Sequence, residues 1–112
     1  MEGLIVSSKP PQGEFDLARN LRTIEWLKAQ ILEQTSFLFK AMLQGREELI
    51  LEALAGIIIS LFVLTRRLGL SFTRLEKKLL QQVKGNIEAD HEVEKWYGDL
   101  SALLDYLSGM KR

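Results

Sequence analysis

The sequence predicts an all-α protein, and three observations support this fold class. Apolar residues recur three or four positions apart over several long stretches, which is the spacing of an amphipathic helix. Residues 53–64 are apolar except for Ser60. The two prolines, Pro10 and Pro11, both precede the first predicted helix. We therefore expect a four-helix bundle, with helices at about residues 16–44, 46–68, 72–84 and 90–108.

The second predicted helix, residues 46–68, is the stretch that the rest of the chain must cover. A strand is the competing interpretation, because Ile57, Ile58, Ile59 and Val63 are β-branched. The pattern continues for about six turns, well beyond the ~5–6 residues of an average strand, which favours a helix. A helix that is apolar all round has to be buried all round. We therefore expect a homodimer or homotetramer, and we predict that Ile58→Asp dissociates or unfolds it.

The bounds of the other helices are predicted from stripes of apolar residues at helical spacing and from the residues that begin or end them. In the first helix the stripe is formed by Leu17, Leu21, Ile24, Leu27 and Ile31. Gly45 is expected to end that helix, Ser71 to cap the third at its N-terminus, and Gly85 to stop the third. Gly98, inside the fourth, indicates close backbone packing or a break. Residues 1–13 are interpreted as an N-terminal arm and residues 14–112 as one helical domain.

The amino-acid composition limits the classes of function that the chain can have. Fifteen Lys plus Arg balance 15 Asp plus Glu, so the chain lacks the basic excess typical of nucleic-acid binders. Cysteine is absent, which excludes disulfides and thiolate metal sites and fits a reducing cytoplasm. The N-terminus lacks the pattern of a signal peptide. The apolar run at 53–64 is shorter than the ~20 residues that cross a bilayer, so we expect no membrane partner.

Three segments resemble a known family: RNLRTIEWLKAQILEQTSFLFKAM (residues 19–42), RLGLS (67–71) and HEVEKWYGDLSALLDYL (91–107). Over roughly residues 17–110 the chain is similar to the MazG-like family of the all-α nucleoside triphosphate pyrophosphohydrolase superfamily. The last segment resembles a branch from Gram-positive bacteria. The resemblance implies Glu-Glu-x-x-Glu on one helix and Glu-x-x-Asp on the next, which in active members hold Mg²⁺. The metal then activates water to give a nucleoside monophosphate and pyrophosphate.

The family motifs fall on residues 33–37 and 53–56, where most of the acidic ligands are missing. Of the five expected carboxylates Glu33 alone is present, while Gln34 offers a neutral oxygen and Phe37, Ala53 and Gly56 offer none. We therefore expect a non-catalytic, oligomeric interaction or regulatory module in the cytoplasm, without catalytic residues or a cofactor.

The alternative is a nucleotide-binding protein or a pyrophosphohydrolase with an altered Mg²⁺ site. Glu33, Gln34, Glu48 and Glu52 would then be the ligands. We favour interpreting Glu47, Glu48 and Glu52 as a helix start stabilised by the dipole. Whether the chain is an enzyme stays open at this point, and a nucleotide is the ligand that this alternative implies.

Two other groups have competing interpretations. The acidic cluster near the fourth helix is either a transition-metal site using the single histidine or a capped, acidic first turn, which we favour; its members are Glu88, Asp90, His91, Glu92 and Glu94. Three aromatic residues either stack on a nucleobase or pack in a core or interface; these are Trp26, Trp96 and Tyr97. We favour packing.

Overall fold

The computed structural model describes residues 13–89 and 92–110. Every regular element within these ranges is a helix, which confirms the all-α prediction. The helices are α1 (Gly13–Gln44), α2 (Glu47–Arg67), α3 (Phe72–Glu88), α4 (Glu92–Tyr97) and α5 (Asp99–Met110). The chain divides into two compact units, residues 1–69 and 70–112, which are described separately below.

The first unit is a hairpin of α1 and α2. Gly45 ends α1 with φ +65°, a left-handed conformation that glycine adopts without steric cost. The amide of Arg46 donates to the carbonyl of Ala41, which closes the turn between the antiparallel helices. Both helices lie close to their predicted bounds, although α1 begins three residues before the expected start. The predicted arm otherwise lies outside the described residues.

The contact between α1 and α2 repeats every seven residues. On α1 the buried positions Leu27 and Ala41 are separated by Gln34, and on α2 Ala53 and Ser60 are buried. A seven-residue repeat keeps one seam facing the partner along two long helices, as in a coiled coil. Small side chains at this seam allow the two backbones to approach closely.

Within the described residues of the first unit, the covering expected for α2 is absent. Ala53 and Ser60 are its buried residues, and most of its large apolar side chains are exposed. Among the described helices, α2 is long and apolar enough to cross a membrane, with a mean hydropathy of 2.1 over 18 residues. The 12-residue run at 53–64 is only part of this helix, so its length does not exclude that α2 spans a membrane. Core helices of soluble proteins meet the same criteria.

The second unit begins with α3, whose start was predicted correctly and whose end was not. The hydroxyl of Ser71 accepts a hydrogen bond from the amide of Arg74 at 3.1 Å, which confirms the N-cap. The expected stop at Gly85 is wrong, because α3 continues to Glu88. One glycine costs a helix only ~1 kcal/mol. Ile87, one turn after the buried Val83, continues the packed face beyond it.

The predicted fourth helix is two helices. Gly98 adopts φ +69° between α4 and α5, and no heavy atom lies within 4 Å of where its β-carbon would be. Of the two interpretations of this glycine, the break is therefore correct and close packing is wrong. α5 packs on α3 and on α4.

Candidate functional site

The two segments on which the family motifs fall, residues 33–37 and 53–56, face each other across the α1–α2 hairpin. The Ser60 hydroxyl donates a hydrogen bond to the Oε1 atom of Gln34 at 3.1 Å. The Gln34 side chain also contacts Gly56, one turn before Ser60. One position of the first motif, Gln34, is therefore in contact with one position of the second, Gly56.

Gly56 leaves the space that the Gln34 amide occupies. A β-carbon built on Gly56 would lie 2.5 Å from Nε2 and 3.1 Å from Cδ of Gln34. Any side chain at this position would require the end of the Gln34 side chain, which also bonds Ser60, to shift. The amide nitrogen, a donor, is thus directed at the point from which an acidic side chain would extend.

The other residues considered as ligands, or standing where ligands were expected, differ in exposure along the two helices. Glu33 is exposed on α1, and Phe37 is 42% exposed. Ala53 is 3% exposed, so its methyl group belongs to the packed seam. Glu48 and Glu52 are exposed on α2, and Glu48 lies in its acidic first turn. Within the described part of the chain, no three His, Cys, Asp or Glu side chains are grouped as metal ligands.

A second polar contact joins the hairpin at its open end, and the sequence analysis missed it. The Asn20 Nδ2 atom donates to the backbone carbonyl of Arg67 at 2.9 Å, and the Arg67 Nη1 atom donates to Asn20 Oδ1 at 3.1 Å. Asn20 lies two seven-residue repeats before Gln34, and Arg67 lies one after Ser60. That spacing was the available signal. Both bonds are exposed to water, so the stronger constraint on register comes from the part-buried bond between Ser60 and Gln34.

The acidic cluster near α4 is divided by the structure. Asp90 and His91 lie outside the described residues, so the metal interpretation that uses them stays a prediction. The Glu94 carboxylate accepts hydrogen bonds from the Ser101 hydroxyl and, at 2.9 Å, from the Ser101 amide. The hydroxyl bond first, and the amide bond second, lower the pKa of Glu94. Glu94 thus caps α5 across the break at Gly98.

The two aromatic residues predicted at the fourth helix, Trp96 and Tyr97, are too exposed to belong to a core. Trp96 and Tyr97 are 65% and 70% exposed and contact each other edge-to-face, with ring centroids 6.2 Å apart. Packing in the core of the single chain, one of the favoured interpretations, is therefore wrong for these two residues. Trp26, which does not belong to the apolar stripe of α1, is also exposed.

The fold and this site define an all-α protein whose first two helices meet through Gln34, Gly56 and Ser60. The resemblance placed acidic ligands at the first two of these positions. A search of protein-family models finds the MazG-like family over residues 17–100. The chain therefore belongs to the MazG-like family, as the sequence resemblance indicated. Searches of curated proteins and of solved structures find no match.

Proposed function

We propose that this chain is a non-catalytic MazG-like protein that acts as an oligomeric interaction or regulatory module. The observation that carries the proposal is the contact among Gln34, Gly56 and Ser60. It fills the place of acidic ligands with a neutral hydrogen bond that stabilises the hairpin itself. In the active enzymes that the resemblance implies, the same place would hold the metal.

The ligand set is too weak for Mg²⁺. This ion demands near-octahedral oxygen coordination and gives up its water reluctantly, so it needs concentrated negative charge. Glu33 is exposed and offers one carboxylate. The oxygen of Gln34 already accepts the bond from Ser60, and its NH₂ group repels a cation. Without the metal, neither triphosphate binding nor water activation has a basis in these residues.

The oligomeric part of the proposal follows from exposed apolar surface. Side chains such as Leu54, Ile58 and Leu61 on α2 are exposed in the single chain. Burial of a Leu or Ile side chain contributes about 1.5–3 kcal/mol, so association of this surface is favourable. We propose a homodimer or homotetramer in the cytoplasm. The balanced charge gives no electrostatic pull towards nucleic acid.

One observation favours a second function. Membership of the MazG-like family connects the chain to nucleoside triphosphate pyrophosphohydrolases. In this alternative Glu33, Gln34, Glu48 and Glu52 rearrange around Mg²⁺ and bind a nucleotide, with or without cleaving it.

Pyrophosphate release separates the two functions. The purified full chain is incubated with Mg²⁺ or Mn²⁺ and a panel of common and modified nucleoside triphosphates. We expect the same rate as buffer with metal alone. Turnover that Glu33→Ala abolishes would establish the alternative. Glu25→Ala is the matched control, because Glu25 is another exposed acid of α1 whose ion pair with Lys28 contributes little.

A further inference from the structure

The exposed side of α3 is basic. Val83 and Ile87 belong to its packed side, and α3 contacts α5 within the second unit. The opposite side carries cations at helical spacing within an arc of about 120°. We call this surface the basic stripe: Arg74, Lys77, Lys78 and Lys84, all exposed. The stripe extends for about 15 Å along the helix axis.

The cations of the basic stripe have no compensating charge beside them. Their side chains form no ion pair with other described residues. Glu76 is half-buried on the packed side of α3. Glu88, the last residue of α3, follows Lys84 by one turn but does not pair with it. The stripe therefore presents a single sign of charge from Arg74 to Lys84.

The stability of the helix does not explain this arrangement. α3 has no acidic residue in its first turn and no basic residue in its last turn, whereas α2 has both. Arg74 lies in the first turn, where the helix dipole disfavours a cation. Lys77 and Lys78 follow Arg74 by three and four residues, so the three like charges repel each other. A charge pattern that weakens its own helix is expected where it serves binding.

An acidic polypeptide segment fits the spacing of the basic stripe. Carboxylates three and four residues apart on a helix have the same spacing as Arg74, Lys77 and Lys78, so several ion pairs can form at once. The guanidinium group of Arg74 can also donate two parallel hydrogen bonds to one carboxylate. Complementary charge of this kind steers a partner towards the surface and fixes its register.

We infer that the basic stripe docks an acidic helical segment of another protein. The inference rests on the proposed interaction module and names the chemistry of its partner. Gln81 is exposed within the stripe, between Lys78 and Lys84, and its amide can donate a hydrogen bond to the same segment.

Nucleic acid and anionic lipid are the competing occupants of the stripe. A protein that binds a DNA duplex commonly makes roughly six to ten phosphate contacts, more than these four cations supply. Phe72, the aromatic residue of α3, lies off the stripe, so the stripe has no platform on which bases could stack. A helix on a membrane surface inserts its apolar side, but α3 packs that side within the second unit.

A labelled peptide tests the inference by fluorescence anisotropy. The probe is a fluorescein-labelled helical peptide with glutamates three and four residues apart, and a second peptide has glutamine at the same positions. We expect the full chain to bind the glutamate peptide and not the glutamine peptide. The dissociation constant should rise as salt is increased, because the contacts are exposed ion pairs.

Two double variants locate the contact. Lys77→Gln with Lys78→Gln removes two charges from the stripe, and Lys28→Gln with Lys40→Gln removes two exposed lysines from α1, so both change the net charge equally. We expect the stripe variant to raise the dissociation constant at least ~5-fold and the α1 variant to change it less than ~2-fold. The stripe variant relieves the repulsion from Arg74, so its melting temperature should not fall. That readout separates lost binding from unfolding.

The remaining outcomes would overturn the inference. These are absence of binding to the glutamate peptide at low salt, and equal loss of binding in the two variants. Tighter binding of a DNA duplex or of phosphatidylserine vesicles, lost in the stripe variant, would assign the stripe to nucleic acid or lipid. Weaker self-assembly of the stripe variant in sedimentation equilibrium would assign it to a contact between copies. None of these results bears on pyrophosphate release, so failure of the non-catalytic proposal would be seen separately.

Discussion

The amide nitrogen of Gln34 lies 2.5 Å from the point where a β-carbon on Gly56 would stand. The two residues form a matched pair, because the absence of one side chain makes room for the other. Ser60 holds the amide in this position through its hydroxyl. Gln34 and Gly56, two positions at which the resemblance implies acidic residues, are thus linked structurally.

This fit predicts energetic coupling between the two positions. In the wild type, Gly56→Ala gains about 1 kcal/mol of helix propensity but displaces the amide and its hydrogen bond, a loss of similar size. In a Gln34→Ala background the same change should stabilise the protein by about 1 kcal/mol. Urea denaturation at one fixed protein concentration measures both effects. Additive effects of the two substitutions would show that the contact carries no energy.

Restoring the acidic residues should restore metal-dependent stability. The variant Gln34→Glu, Phe37→Glu, Ala53→Glu, Gly56→Asp places carboxylates in and beside the packed seam, where uncompensated charge is unfavourable. We expect its melting temperature to fall in EDTA and to recover partly with Mn²⁺. The wild type, measured in parallel, should melt at the same temperature with and without the ion. A wild type that the ion stabilises would contradict the proposed loss of the site.

The helices that were predicted correctly are marked by the spacing of apolar residues along the sequence. The helix ends that were predicted wrongly depend on tertiary packing, which the sequence does not display. The stripe of α1 and the apolar run of α2 are visible along the sequence, so both helices were located closely. Gly85 and Gly98 both stand inside amphipathic stretches of the sequence, but their effects differ. α3 continues past Gly85, where Ile87 extends its packed face, whereas a new helix, α5, begins directly after Gly98. The residues that stand at the motif positions could be read one by one from the sequence, and the proposed loss of acidic ligands rests on them. The fit of Gln34 into Gly56 could not be read in this way, because it requires the register between two helices.

These two glycines should respond oppositely to alanine. Gly98 has φ +69°, a region that costs other residues about 1–2 kcal/mol, so Gly98→Ala should destabilise the protein by about that amount. Gly85 lies inside α3 with nothing within 4 Å of its β-carbon position, so Gly85→Ala should stabilise by up to ~1 kcal/mol. Thermal denaturation of the pair provides the comparison. Equal shifts in the same direction would mean that the break at Gly98 is absent in solution.

The cap formed by Glu94 predicts a dependence of stability on pH. The folded pKa of Glu94 is lowered, mainly by the Ser101 hydroxyl, so ionised Glu94 favours the folded state. This contribution is present above the unfolded pKa, near 4.5, and is lost as the pH falls through the folded pKa. Glu94→Gln should therefore flatten the pH profile of the melting temperature between neutrality and pH ~3. Glu92→Gln, a substitution of an exposed acid on the same helix, is the matched control.

The most direct measurement of the central claim is binding of a divalent ion between α1 and α2. Mn²⁺ is titrated into the purified full chain, and the electron paramagnetic resonance signal of the free ion is recorded. The account predicts that the signal stays at its buffer intensity with the chain in excess, because Glu33 and an engaged Gln34 amide cannot hold the ion. Loss of the signal at about one ion per chain, reversed by Glu33→Ala, would contradict it.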